Sequence, residues 1–137
     1  MGSALSIDSL HQVAVATADL ARSIAFYRGA LGLRLIAEFS PPGLAFFALG
    51  DTRLLVEAAR EAKPAGGVLY FRVDDIQAAH AALKARGVAF DRAPHAIHRD
   101  DDGTFGERGA TEWMAFFRDP DGNVLALAER VAPGRSA

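Results

Sequence analysis

Four histidines and a scatter of acids are the side chains of this sequence with the most chemical reach, and there is no cysteine. Disulfides, thiolate metal sites and a cysteine nucleophile are therefore excluded. His11 stands beside Gln12 in "LHQVAV". Neighbours on a strand point to opposite faces, so only one of the two turns inward. An inward His11 needs a bulge that slips the strand by one residue, and the plainer reading is an exposed or edge histidine. His95 and His98 in "PHAIHRDDDG" are three apart, which alternation places on opposite faces, so they do not form a chelating pair. His95 is the candidate pocket histidine and the one catalytic candidate, because an imidazole titrates near neutrality and suits acid–base or hydrogen-bond work. His98 is assigned to a polar loop, and His80, on the second helix one turn from Ile76, reads as a boundary residue rather than a ligand. Asp100, Asp101 and Asp102 precede Gly103 without the alternating oxygens or distant glutamate of a calcium loop, and read as solvated.

Tyr70 and Arg72 share strand parity with Val68, so one interior face receives all three, Tyr70 deeper and Arg72 near the rim. An arginine at a rim holds a carboxylate or phosphate bidentately, or a neighbouring acid. Trp113, Phe46, Phe47, Phe116 and Phe117 supply large aromatic area. Alternation sends half of it to a core and leaves half to wall a pocket. The sequence contains no G-x-S-x-G elbow, phosphate loop or dinucleotide fingerprint.

The elements that must position these side chains are written twice. "QVAVA" alternates as a strand, Asp19 caps a helix with Leu20, Ile24, Tyr27 and Leu31 inward, and Gly32 ends it. "LRLIAEF", "LAFFAL" and "TRLLVEA" follow as strands separated by "SPPG" and "GD" turns. "REAKPAGG" breaks all periodicity. Then "VLYFRV" is a strand, Asp74 and Asp75 open the helix "IQAAHAALKARG", and "VAF" begins the next strand. "HRDDDGTFGERG" is a long loop, and "ATEWMAFFR", the turn "DPDGN" and "VLALAER" close the chain. This predicts an α+β fold of two βαβββ modules, residues 6–60 and 68–130, with a linker over 61–67 and a disordered tail over 131–137. Aligning the caps sets Gln12 against Val68, and aligning the last strands sets Leu54 against Ala126 and Glu57 against Glu129.

At 137 residues, half of them apolar, the chain is long enough for a real core. A net charge of -2 offers no basic field for nucleic acid or an anionic membrane. No apolar run approaches the roughly 20 residues of a membrane span, and "MGSALSIDSL" does not read as a secretion signal. A soluble cytoplasmic protein is expected.

"DLARSIAFYRGALGL" in the first copy, with "VDDIQAAHAALKARGV" and "FRDPDGNVLALAE" in the second, resembles the vicinal oxygen chelate superfamily from about Leu10 to Glu129. That group holds glyoxalase I, methylmalonyl-CoA epimerase, extradiol dioxygenases, and fosfomycin- and bleomycin-resistance proteins. The resemblance implies that the modules form a cupped, barrel-like mixed sheet whose concave side holds the ligand. It also implies four places for metal ligands, on the first and last strand of each module. Carried over, these are Gln12, Leu54, Val68 and, where enzymes of the group often write "DPDGNxxEL", Ala126. Leu, Val and Ala offer no lone pairs to a divalent cation, so no metal is expected. Gln12 then meets a ligand, a water or Tyr70, since an unpaired buried amide costs on the order of 1–3 kcal/mol. By alternation from Leu54 and Ala126, both Glu57 and Glu129 point away from the cup.

The expected function is a metal-free binding protein of the bleomycin-resistance type. Its small, partly apolar or aromatic ligand meets Gln12, Leu54, Val68, Tyr70, Arg72, His95, Trp113 and Ala126. A glyoxalase-like or dioxygenase-like enzyme with a relocated or non-metal site is the alternative, with Zn, Ni, Mn or Fe as its cofactor where a metal is used. A structural or regulatory protein is the third reading. The resemblance implies a homodimer, which would also cover open sheet edges.

Overall fold

In a computed structural model, which describes residues 5 and 7–137, the chain divides into two compact units, one ending at Ala62 and the other starting at Lys63. The expected start of the first module, Ser6, lies outside the described residues. Each unit is a four-stranded mixed sheet with a helix, and the two have the same topology, so the α+β fold of paired βαβββ modules is observed.

In the first unit, β1 (Gln12–Thr17) leads into helix α1 (Leu20–Ile24), which continues as a wider π-helical stretch over Ala25–Ala30; β2 (Arg34–Phe39), β3 (Leu44–Leu49) and β4 (Thr52–Ala58) follow. The order across the sheet is β1-β4-β3-β2, with β1 and β4 parallel. The helix starts where it does because Asp19 accepts a hydrogen bond from the Arg22 N–H, satisfying a donor that the first turn leaves free. Behind it the buried Ser23 hydroxyl lies 2.6 Å from the Thr17 hydroxyl, tying the helix to the end of β1. The core face carries Val15, Thr17, Leu54, Val56, Ala45 and Phe47, all buried, and the Phe47 ring lies 5.7 Å from that of Tyr27 on the helix.

In the second unit, β5 (Leu69–Arg72) leads to α2 (Ile76–Ala85), then β6 (His95–Arg99), β7 (Thr111–Arg118) and β8 (Val124–Val131), in the order β5-β8-β7-β6. Asp75 caps α2 by accepting from Ala78 N–H, and Glu129 accepts the Ile76 N–H at 2.8 Å. The core of this unit is built on Ile76, Leu83, Ala115, Phe117, Leu125 and Leu127.

Three expectations change here. "VAF" does not start a strand: Phe90 makes a single bridge to Phe117, and pairing resumes at His95, past Pro94, which has no N–H to give a ladder. His98 therefore lies on a strand rather than in the loop. Val131 belongs to β8, is buried and pairs with Thr111, so the tail begins after it.

The "DPDGN" turn explains itself by hydrogen bonds. The buried Asp119 carboxylate accepts from the N–H groups of Asp121 and Asn123 and from the Asn123 side-chain amide, at 2.7–2.9 Å. Gly122 takes φ +85°, a left-handed conformation that side chains disfavour. Asn123 Oδ1 in turn accepts the Ala65 N–H at 2.6 Å, so the turn also anchors the start of its own unit.

Candidate functional site

Strand registers decide which side chains share the face away from each core. In the first unit Gln12 pairs with Arg53, Ala14 with Leu55 and Ala16 with Glu57, while Val13 pairs with Leu54 and Val15 with Val56. Parallel partners in register share a face, so Gln12, Arg53, Leu55 and Glu57 lie on the outer face and Leu54 on the core face. Leu54 is 0% exposed. Two expectations are thereby corrected: Leu54 is a core residue, and Glu57 shares the face of Gln12. The structural partner of Leu54 in the second unit is Leu125, since Leu69 pairs with Leu125 just as Val13 pairs with Leu54. The residue corresponding to Ala126 is thus Leu55.

Gln12 is exposed, and β1 pairs with β4 without a bulge, so its register is not slipped. His11 precedes the strand, exposed, with its Nε2 2.9 Å from Arg53 Nη2. A guanidinium only donates, so Nε2 is the acceptor there and is engaged. The Arg53 guanidinium also lies 5.8 Å from the centre of the Phe46 ring.

In the second unit Tyr70 pairs with Ala126 and Arg72 with Ala128, while across the sheet Phe116 pairs with Ala126 and Met114 with Ala128. These six residues form the outer face. The Tyr70 and Phe116 rings meet edge-on at 6.1 Å, and Ala126, fully buried, lies between them in the ladder. Tyr70 is 54% exposed, nearer the solvent than expected. Arg72 is exposed and has no ion-pair partner among the described residues. Val68 directly precedes β5 and is half-buried. Trp113 pairs with Glu129, which reaches Ile76 on α2, so Trp113 lies on the core side and not with Tyr70. The phenylalanines divide as alternation requires: Phe47 and Phe117 are buried in the cores, and Phe46 and Phe116 are half-buried on the outer faces.

A bulge at Ile97 changes the histidines. His95 pairs with Met114 and His98 with Glu112, the register shifting between Ala96 and His98. Both therefore share the outer face, where unbroken alternation predicted opposite faces. His95 is half-buried with Nδ1 3.2 Å from the Ala93 carbonyl, and His98 is exposed.

The acidic run also divides. Asp101 and Asp102 are exposed, but Asp100 is buried. Its oxygens accept the N–H groups of Thr104 at 2.7 Å and Phe105 at 2.8 Å, and one takes Arg130 Nη2 at 2.7 Å. Arg130 also donates to the Glu107 carbonyl at 3.1 Å and lies 3.4 Å from Glu112. Gly106, at φ +155°, leaves room for this: a Cβ there would stand 3.3 Å from Arg130 Nε. Burial pushes the Asp100 carboxyl up, but hydrogen bonds from Arg130, Phe105 and Thr104 and the charge of Arg130 outweigh it, holding the carboxyl at about 2. A depressed folded-state pKa adds stability above the unfolded carboxyl value, which fades as pH falls from about 3.8 toward about 2. Urea midpoints measured from pH 5 down to pH 2 should therefore fall more steeply in the wild type than in Asp100→Asn; equal slopes would mean that the carboxylate is not held in this way.

Two grooves flank Phe105, one of about 470 Å³ with Ile97, His98, Glu112 and Met114, and one of about 390 Å³ reaching Arg72, Asp74 and Arg130. Phe105, Glu112, Met114 and Arg130 were not expected as site residues. One signal was available for Phe105: a lone large apolar residue between Gly103 and Gly106 in a polar loop.

The residues at the implied ligand places do not fit a divalent ion. Gln12 carries an amide, while Leu54, its corrected counterpart Leu55, Val68 and Ala126 have no donor atoms. Glu57 shares the Gln12 face but stands four residues along the ladder, roughly 13 Å away at 3.3 Å per residue. Among the described residues no group of three or more histidines or acids converges. Among the described residues no helix is long and apolar enough to cross a membrane.

A sequence model of the Glyoxalase/Bleomycin resistance protein/Dioxygenase superfamily matches residues 9–127. No curated protein matches the chain. Among solved structures, the protein SMU.1112c is 29% identical, with a TM-score of 0.71 over 90% of this chain and 100% of the other. A glyoxalase/bleomycin resistance protein/dioxygenase from Nocardioides gives 20% and 0.70, over 97% and 92%. A lactoylglutathione lyase from Agrobacterium tumefaciens gives 22% and 0.67, over 90% and 94%.

Proposed function

Because the chain belongs to the glyoxalase/bleomycin resistance protein/dioxygenase superfamily, we propose that it is a metal-free binding member, holding a small, partly apolar or aromatic molecule in the manner of bleomycin-resistance proteins. The observation that carries this reading is the set of side chains at the ligand places, Gln12, Leu55, Val68 and Ala126, together with an outer face rich in apolar area at Tyr70, Met114, Phe116 and Ala126. Chemistry that polarises oxygen on an ion needs several converging donors, and one amide does not supply them. A face of aromatic and aliphatic groups with a few polar ones instead suits reversible binding. Arg72, at the end of β5 and without an ion-pair partner among the described residues, orients an acidic group on the ligand, and half-buried His95 offers a hydrogen bond.

The protein acts as a homodimer in this reading, because each unit's sheet has outer strands whose backbone groups need a partner or solvent. Elemental analysis and light scattering on one preparation, grown with Zn, Ni, Mn and Fe, test both parts. Substoichiometric metal and a two-chain mass are expected. A stoichiometric ion removed by chelator would overturn the metal-free reading, and a one-chain mass the dimer.

A further inference from the structure

Resting on that ligand-binding reading, we propose that Phe105 and Glu112 select a planar aromatic cation at the β6–β7 end of the second unit's outer face. Phe105 is 71% exposed, yet its backbone is fixed: its N–H donates to the buried Asp100 carboxylate at 2.8 Å, and Thr104 N–H to the same group at 2.7 Å. Arg130 locks that carboxylate at 2.7 Å and holds the far side of the loop through the Glu107 carbonyl. A large apolar ring is thus presented to solvent on an ordered support. Such a support lowers the entropic cost of stacking on a ligand.

The ring does not stand alone. His98 on β6 meets it edge-on at 6.3 Å and 89°, so the two rings make a corner. Ile97 and Met114 line the groove of about 470 Å³ beside that corner, which is small-molecule size. A polarizable thioether and two ring systems favour a flat π-system over a saturated body.

Charge supplies the rest of the selection. Among the described residues Glu112 is the one acid lining this groove, and neither lysine nor arginine lines it. Its contact with Arg130 is long, 3.4 Å, and Arg130's shorter bond goes to Asp100, which offsets the arginine charge. A cation drawn to the Glu112 carboxylate and over the Phe105 face gains from both.

The test uses three probes on the full chain, titrated by calorimetry: N-methylquinolinium, its saturated cationic analogue decahydroquinolinium, and the flat anion naphthoate. Quinolinium is expected to bind at least about tenfold more tightly than either other probe, Phe105→Leu to remove about that factor for quinolinium alone, and Phe105→Trp to keep it. Phe105 is exposed, so both variants fold. Equal affinity for naphthoate, or an unchanged quinolinium affinity in Phe105→Leu, overturns the selection. Wild type that binds none of the three, while a screen finds another small apolar ligand, also overturns it and leaves the binding reading standing. A stoichiometric metal, in contrast, removes that reading without moving the Phe105 result.

Discussion

Leu54→Ala is expected to lower the free energy of unfolding by about 2–5 kcal/mol, the range for emptying a packed leucine site. Leu54 is wholly buried, with Val13 beside it on β1 and Phe47 on β3, and Phe47 leans on Tyr27 of the helix. Deleting its side chain removes contacts on every side, and the sheet cannot close over the gap without moving a strand that is paired on both edges. Leu55→Ala, one residue along on the half-buried outer face, should cost clearly less. Urea unfolding of the two variants separates the faces. A Leu54→Ala loss no larger than that of Leu55→Ala would place Leu54 on the outer face and overturn the assignment.

That one-residue distinction marks the boundary of what was legible in the sequence. Periodicity and caps were enough for the paired modules: Asp19 and Asp75 open the two helices as read, and the alternating runs became strands. Which face each strand turns inward was readable only where the register could be anchored. On β1, counting back from Asp19 turns Gln12 inward as a buried amide, whereas the ladder sets it on the face opposite Leu54, where it is exposed. On β4 the anchor was Glu57 set against Glu129, and those two glutamates are not equivalent: Glu57 pairs with Ala16, whereas Glu129 follows the residue paired with Arg72. A shared letter outweighed the spacing, and every side chain on the strand changed sides.

The histidines and the loop failed to read for different physical reasons. His95 and His98 share a face because one residue, Ile97, is left over in the pairing, and a bulge has no dependable sequence mark. Asp100 looks like its neighbours Asp101 and Asp102, and only a cation from thirty residues away, Arg130, makes it a buried anchor. Long-range partners of this kind are set by tertiary packing. Local pattern therefore gave no hint that the loop would hold Phe105 in place.

Asp119→Ala should cost about 2–5 kcal/mol, from roughly 1–3 kcal/mol for each buried donor left without an acceptor. The carboxylate serves two backbone N–H groups and the Asn123 amide, and the Asn123 N–H is itself buried. Asn123 is also the acceptor for Ala65 N–H, so a turn that loosens at Asp119 also loosens the chain at Ala65, fifty-eight residues before Asn123. The turn joins β7 to β8, and the register it closes is what sets Phe116 against Ala126 and Met114 against Ala128 on the proposed binding face. Asp119→Asn, which keeps one acceptor oxygen but turns an NH₂ toward the Asn123 amide, should fall between the alanine variant and the wild type. Thermal unfolding ranks the three, and amide exchange at Asn123 and Ala65 reports whether both ends loosen together. An alanine variant within about 0.5 kcal/mol of the wild type, the usual margin for an unimportant surface change, would mean that water replaces the carboxylate and that the strands alone set the register.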